Sequence, residues 1–294
     1  MNVTANRRWL VGVDGSDESL DALAWARDAA SSDERIVVVH AWDVPVVVGY
    51  DVAVAIDPRS IEDAAQAFLD DLIARTDDDR VTGRLIRSHA GRGIVDLTEG
   101  DDVVVLGHRG TGRMSMMLGS TASYVLHHVA RPVVIVRGDG SHPIRKVVVG
   151  ADDHDLVDDE GALVPGAENE AVRALRWAVN LPGVAEVTVT HAWFLPAVVA
   201  GWYAGPGADF EVMDAASDAV IDHVIAAAGP IPEGVAVGRE VLRGTPGFAL
   251  IEASRDADLV TVGSRGRGTL RGLLLGSTSA EVASYGHCPV AVVR

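Results

Sequence analysis

The chain repeats itself, and whatever it folds into must be built twice. Trp9-Leu-Val-Gly-Val-Asp14-Gly15-Ser16 corresponds to Val147-Val-Val-Gly-Ala151-Asp152-Asp153-His154. Val38-Val-His40-Ala41-Trp42 corresponds to Val189-Thr-His191-Ala192-Trp193, and Leu106-Gly107-His-Arg109-Gly110 to Val262-Gly263-Ser-Arg265-Gly266. Leu118-Gly119-Ser120-Thr121 matches Leu275-Gly276-Ser277-Thr278, and Arg131-Pro-Val-Val-Ile-Val136 matches Cys288-Pro-Val-Ala-Val-Val293. The matches keep their order and span each half. Between the halves lies Gly138-Asp-Gly-Ser-His-Pro143, a run of turn residues without apolar periodicity. The expected domains are therefore 1–140 and 145–294.

Each half alternates strand and helix. Short β-branched runs at 36–39 and 103–106 are apolar without alternation, as parallel strands covered on both faces are. Leu20, Leu23 and Ala24, then Ile61, Ala64, Ala65, Phe68, Leu69 and Leu72, recur at helical spacing. The class is α/β: two tandem doubly wound domains, each a five-stranded parallel sheet with helices on both faces, Rossmann-like in architecture. Ligands of such sheets sit beyond the carboxyl ends of strands where strand order reverses, and Asp14/Asp152, Ala41/Ala192 and Gly107/Gly263 fall at such ends.

The second half carries the clearer glycine loop: Gly263-Ser-Arg265-Gly266, nine residues, then Gly276-Ser277-Thr278, after an apolar strand at 258–262. Glycine lets backbone approach a ligand closely, and Ser277 or Thr278 is placed to cap a helix whose first amides can bind an anion. Arg265, Arg267 and Arg271 supply local positive charge. Glycines after a strand are also ordinary tight turns; the second copy and the Gly-Ser-Thr at a helix start favour a phosphate loop.

Charge makes that local field necessary. The net charge is −17, which argues against nucleic acid or an anionic membrane as partner. Lys146 is the only lysine, so neither a Walker loop nor a kinase lysine is available. The single cysteine, Cys288, excludes a disulfide framework and a CxxC pair and is expected to be a small buried residue. The apolar stretch 9–13 is too short for a signal peptide and no run reaches membrane-spanning length, so a cytoplasmic protein is expected.

The spacing Gly-x2-Gly-x9-Gly-Ser, the opening Val-Gly-Val-Asp14-Gly15-Ser16 and the closing His287-Cys-Pro-Val-Ala-Val-Val resemble the universal stress protein family, in its tandem two-domain form. The resemblance implies an adenine-nucleotide alpha-hydrolase-like fold and ATP as cofactor, with or without Mg2+. It implies that Asp14, with Gly15 and Ser16, lies at the adenosine end and Ala41 at the adenine. Gly107, Arg109, Gly110, Gly119, Ser120 and Thr121 would hold ribose and phosphates. In the second half the same roles fall to Ala151, Asp152, Asp153, Ala192, Gly263, Arg265, Gly266, Gly276, Ser277 and Thr278. It implies as well a homodimer or a pairing of the two halves, and a regulatory protein partner.

The halves depart from the pattern differently. Only eight residues separate Gly110 from Gly119, which is expected to shift the helix start relative to Gly107; Arg109 and Arg113 are candidates to compensate. Gly93 to Gly107 is five residues shorter than Gly244 to Gly263, which predicts a clipped third helix. In the second half Asp153 and His154 replace Gly15 and Ser16, and an insertion, 155–166, follows. Its acids Asp158, Asp159 and Glu160 invite a metal, but a solvated loop is the simpler account. On loop spacing the second half is expected to bind phosphate more strongly.

His40 and His191 recur as candidate bases without a nucleophile partner, and packing explains them equally well. His127 and His128 are neighbours on a helix and cannot share a metal easily. Trp25 and Trp177 read as core; Trp42 and Trp193 are candidates to flank the base. The expected function is a nucleotide-dependent stress-response regulator with two unequal ATP sites and no catalytic set. The alternatives are a slow ATPase or self-phosphorylating enzyme, and a scaffold with degenerate sites.

Overall fold

The computed structural model describes residues 7–44, 57–110, 118–138, 143–158, 160, 162–194, 210–265 and 275–294. It divides into two units, Met1–Val136 and Arg137–Arg294. In the first, β1 (Arg8–Gly12), α1 (Asp17–Ala29), β2 (Arg35–Trp42), α2 (Pro58–Thr76), β3 (Val81–Arg87), α3 (Ala90–Leu97), β4 (Val103–Gly107), α4 (Ser120–His128) and β5 (Val133–Val136) follow in order. The strands lie side by side as β3-β2-β1-β4-β5, every pair parallel. The second unit repeats this with β6 (Lys146–Ala151), α5 (Glu170–Val179), β7 (Glu186–Trp193), α6 (Phe210–Ala228), β8 (Ala236–Arg243), α7 (Pro246–Ala253), β9 (Leu259–Gly263), α8 (Ser277–Tyr285) and β10 (Val290–Val293). Its order is β8-β7-β6-β9-β10, again parallel. The doubly wound class read from the sequence is the one present.

The β-branched runs are the sheet centres. Val103, Val104, Val105 and Leu106 are buried, as are Leu259, Val260, Thr261 and Val262, so both faces of these strands are covered. Trp25 packs edge-on against Trp9 with centroids 5.9 Å apart, and the buried Trp9 indole donates to Glu34 at 2.8 Å. Arg80 closes the end of α1, donating to the carbonyls of Ala30 at 2.9 Å and Arg27 at 3.0 Å; Asp78 holds its guanidinium and is itself held well below the usual carboxylate range. Cys288 is buried, and burial pushes its thiol up to about 12. Among the described residues no helix is long and apolar enough to cross a membrane.

The third helix is not clipped. α3 and α7 each have eight residues. Gly93 and Gly244 are not equivalent positions. Gly93 lies inside α3, against Ile86 and Ser88, while Gly244 follows β8 as Ser88 follows β3. From Ser88 to Gly107 and from Gly244 to Gly263 the chain is the same length. The 155–166 insertion is more than a solvated loop: Leu156 is fully buried, and Val157 pairs with Leu163 in an antiparallel bridge. Asp158 and Glu160 are exposed, and the Asp158 carboxylate accepts the Ala162 amide at 2.8 Å as a local turn former. Asp159 lies outside the described residues.

Candidate functional site

In each sheet the first strand of the unit is flanked by strands reached through opposite crossovers, and the candidate residues gather at its carboxyl end. In the first unit the chain leaves β1 through Val13, whose amide still donates to Val39 at 2.9 Å, and turns at Asp14-Gly15-Ser16. Gly15 has φ +86°, a left-handed conformation that suits glycine. Asp14 Oδ1 accepts the Ser16 amide at 3.0 Å and its hydroxyl at 2.5 Å, and Ser16 Oγ accepts the Ser19 amide as the N-cap of α1. The turn thus holds the exposed Asp14 carboxylate in one orientation.

The loop after β4 meets that carboxylate. Asp14 Oδ2 lies directly over the Cα of Gly110, where any Cβ would collide with it. At Gly107 a Cβ would stand 2.5 Å from the Glu18 carbonyl oxygen, so the first turn of α1 rests on the end of β4. The Gly119 amide donates to the His108 carbonyl at 3.0 Å and closes the loop at its neck. Gly119 is the N-cap of α4, and Ser120 and Thr121 are its first helical residues. Arg109 is half-buried, with its backbone close to Gly119; Arg113 lies outside the described residues.

The second unit repeats the neck, with the Gly276 amide donating to Ser264 at 2.6 Å. The loop-length difference therefore does not move the helix start, because the same backbone bond ties it to the residue after the strand in both units. Gly276 is the N-cap of α8 and no side chain caps it, so Ser277 and Thr278 do not have the capping role expected of them. Gly266, Arg267 and Arg271 lie outside the described residues.

The turn after β6 is reshaped. Asp153 does not take the left-handed conformation of Gly15; Asp155 takes it instead, at φ +61°. Asn169, the N-cap of α5, binds the turn from behind, donating to the carbonyls of Asp152 and His154 at 3.0 Å each while accepting the Val172 amide. Asp152 Oδ1 accepts the His154 amide at 2.9 Å. Burial pushes the Asp152 carboxyl up to about 6; the charges of Asp153 and Glu170 add to the rise and the His154 amide opposes it. Asp152, His154, Asp155, Asn169, Glu170, Arg173 and Arg265 line one cleft.

Ala41 and Ala192 precede the last residues of β2 and β7, opposite Ile86 and Leu242. Trp42 and Trp193 are those last residues, buried beneath Arg87 at 5.2 Å and Arg243 at 5.8 Å. His40 Nδ1 shares a hydrogen bond with the Val13 carbonyl at 2.8 Å, and its ring packs on Phe68. His127 and His128 bond back to the carbonyls of Ser123 and Tyr124 on their own helix. Sequence reasoning missed Asn169 and Glu170. A signal existed for the latter: Glu18 and Glu170 precede Trp25 and Trp177 by the same interval.

Fold and site together define a tandem doubly wound α/β protein whose candidate site is a short acidic turn set against a glycine-necked loop. The sequence profile of the universal stress protein family matches residues 5–137 and 162–294, and the chain belongs to that family. The second match opens inside the insertion, so β6 and Asp152 precede it although β6 pairs with β7 and β9 as β1 does with β2 and β4. A universal stress protein of Mycolicibacterium smegmatis is 31% identical, over 97% of this chain and 96% of its own. One from Mycobacterium tuberculosis strain H37Rv is 30% identical over 97% and 95%. The crystal structure of a universal stress protein from Archaeoglobus fulgidus shares the fold with a TM-score of 0.61 and 22% identity, covering 98% of both chains.

Proposed function

We propose that each unit binds an adenine nucleotide, ATP foremost, and that occupancy governs a regulatory protein contact with little or no turnover. The observation that carries this is the contact between the Asp14 carboxylate and Gly110. It joins the turn that family resemblance assigns to the adenosine end to the loop assigned to the phosphates, at the point where doubly wound sheets take ligands. The start of α4 supports this reading: no side chain caps it at Gly119, which leaves the first amides of the helix for an anion at the loop's neck.

The low-turnover part of this reading rests on the sequence, in which neither His40 nor His191 has an assigned serine or cysteine partner for a nucleophilic or proton-transfer set. Nucleotide analysis of the purified chain, followed by steady-state turnover with ATP and Mg2+, tests the proposal. ATP is expected to be retained or to titrate in, and to stay intact for hours. Release of ADP at ordinary enzymatic rates would overturn the regulator, and absence of any titratable affinity would overturn the nucleotide.

A further inference from the structure

The second loop carries an anion of its own. Glu170 opens α5, and its side chain, only 11% exposed, turns back onto the residues that follow β9. Oε2 accepts the backbone N–H of Arg265 at 2.8 Å, and Oε1 accepts the Ser264 hydroxyl at 3.1 Å. Arg265 Nε stands 3.6 Å from Oε1 and an Arg173 nitrogen 4.0 Å from it. Gly263 is where this side chain passes: a Cβ there would lie 2.7 Å from the Glu170 Cβ and 3.2 Å from Oε2. A backbone amide after a strand, a hydroxyl and two guanidinium groups are the donors that a phosphoryl oxygen takes, and a carboxylate oxygen satisfies them equally well.

The first unit is built otherwise. Glu18 stands at the matching place, but Gly107 is covered by its backbone carbonyl rather than its side chain. Among the described residues its carboxylate makes no hydrogen bond to the loop.

We propose that Glu170 is a built-in competitor for the anion seat of the second loop. Phosphate enters only as Glu170 withdraws, and the second site binds nucleotide more weakly than the first. This rests on the nucleotide reading above and reverses the order expected from loop spacing.

Calorimetric titration of the full chain with ATP, and separately with tripolyphosphate, tests it in wild type, Glu170→Gln and Glu170→Ala. Both variants are expected to tighten the weaker ATP site by about tenfold, the order set by one carboxylate removed from hydrogen-bond reach of an anion. Unchanged or weakened binding in both variants, with wild-type ATP binding intact, overturns the competitor and leaves the nucleotide reading standing. Tripolyphosphate binding gained on substitution, with no chain binding ATP, supports the competitor and overturns the nucleotide. Failure of every chain to bind either ligand overturns both.

Discussion

Asp14 and Asp152 occupy the same place in the repeat and live in different electrostatic surroundings. Asp14 is exposed, with one oxygen held by Ser16. Asp152 is desolvated, and the nearby Asp153 and Glu170 add like charge. Its folded-state pKa, raised from 3.8 to about 6, means that the folded chain holds this proton more tightly than the unfolded chain does. Folding is therefore penalised as pH rises through that interval and remains so above it. Asp152→Asn removes the penalty, and the variant should be more stable than wild type at pH 7 by on the order of 1–3 kcal/mol. The gain should vanish below about pH 4. Calorimetric melting across that range checks it, and a gain that ignores pH would rule out this cause. The aspartates themselves were visible in the repeat. Their difference was not, because burial of Asp152 depends on Asn169 and on a cleft wall contributed by residues far along the chain. Glu170 was hidden for the same reason: its partners Ser264 and Arg265 lie almost a hundred residues away.

Helix ends show how the reshaped turn is held. Asn169 caps α5 through its carbonyl oxygen and clamps the Asp152–His154 turn through its amide nitrogen. Asn169→Ala removes both, and should lower stability by about 1–2 kcal/mol. Asn169→Asp preserves the cap acceptor but sets a carboxylate against two carbonyls and beside Asp152. Aspartate, normally as good an N-cap as asparagine, should here be no better than alanine at pH 7. Thermal melts of the two variants decide this, and full rescue by aspartate would show that the clamp contributes nothing. Element type and order were legible in apolar spacing and β-branched runs, since these follow directly from which face is buried. The third helix reads as clipped in the sequence because Gly93, which lies inside α3 where Ile86 and Ser88 crowd its Cα, looks like a glycine that ends a strand. Glycine marks close approach as readily as it marks a turn.

At the scale of the whole chain, the net charge of −17 sets a repulsive field that an anionic ligand must cross. Raising salt from about 0.01 to about 0.1 M shortens the screening length from about 30 Å to about 10 Å. ATP should then associate faster, as stopped-flow mixing can record. Slower association would mean that local arginines dominate the approach. The repeat makes the doubled architecture legible in the sequence, because matches in constant order leave one fold to account for both halves. What it could not reveal was which differences between the halves matter. The backbone bonds from Gly119 to His108 and from Gly276 to Ser264 bear on that question. A loop pinned at its neck is a replaceable cartridge: residues can be added, removed or exchanged inside it while strand and helix keep their places. Each half can thus change the contents of its loop without renegotiating its frame.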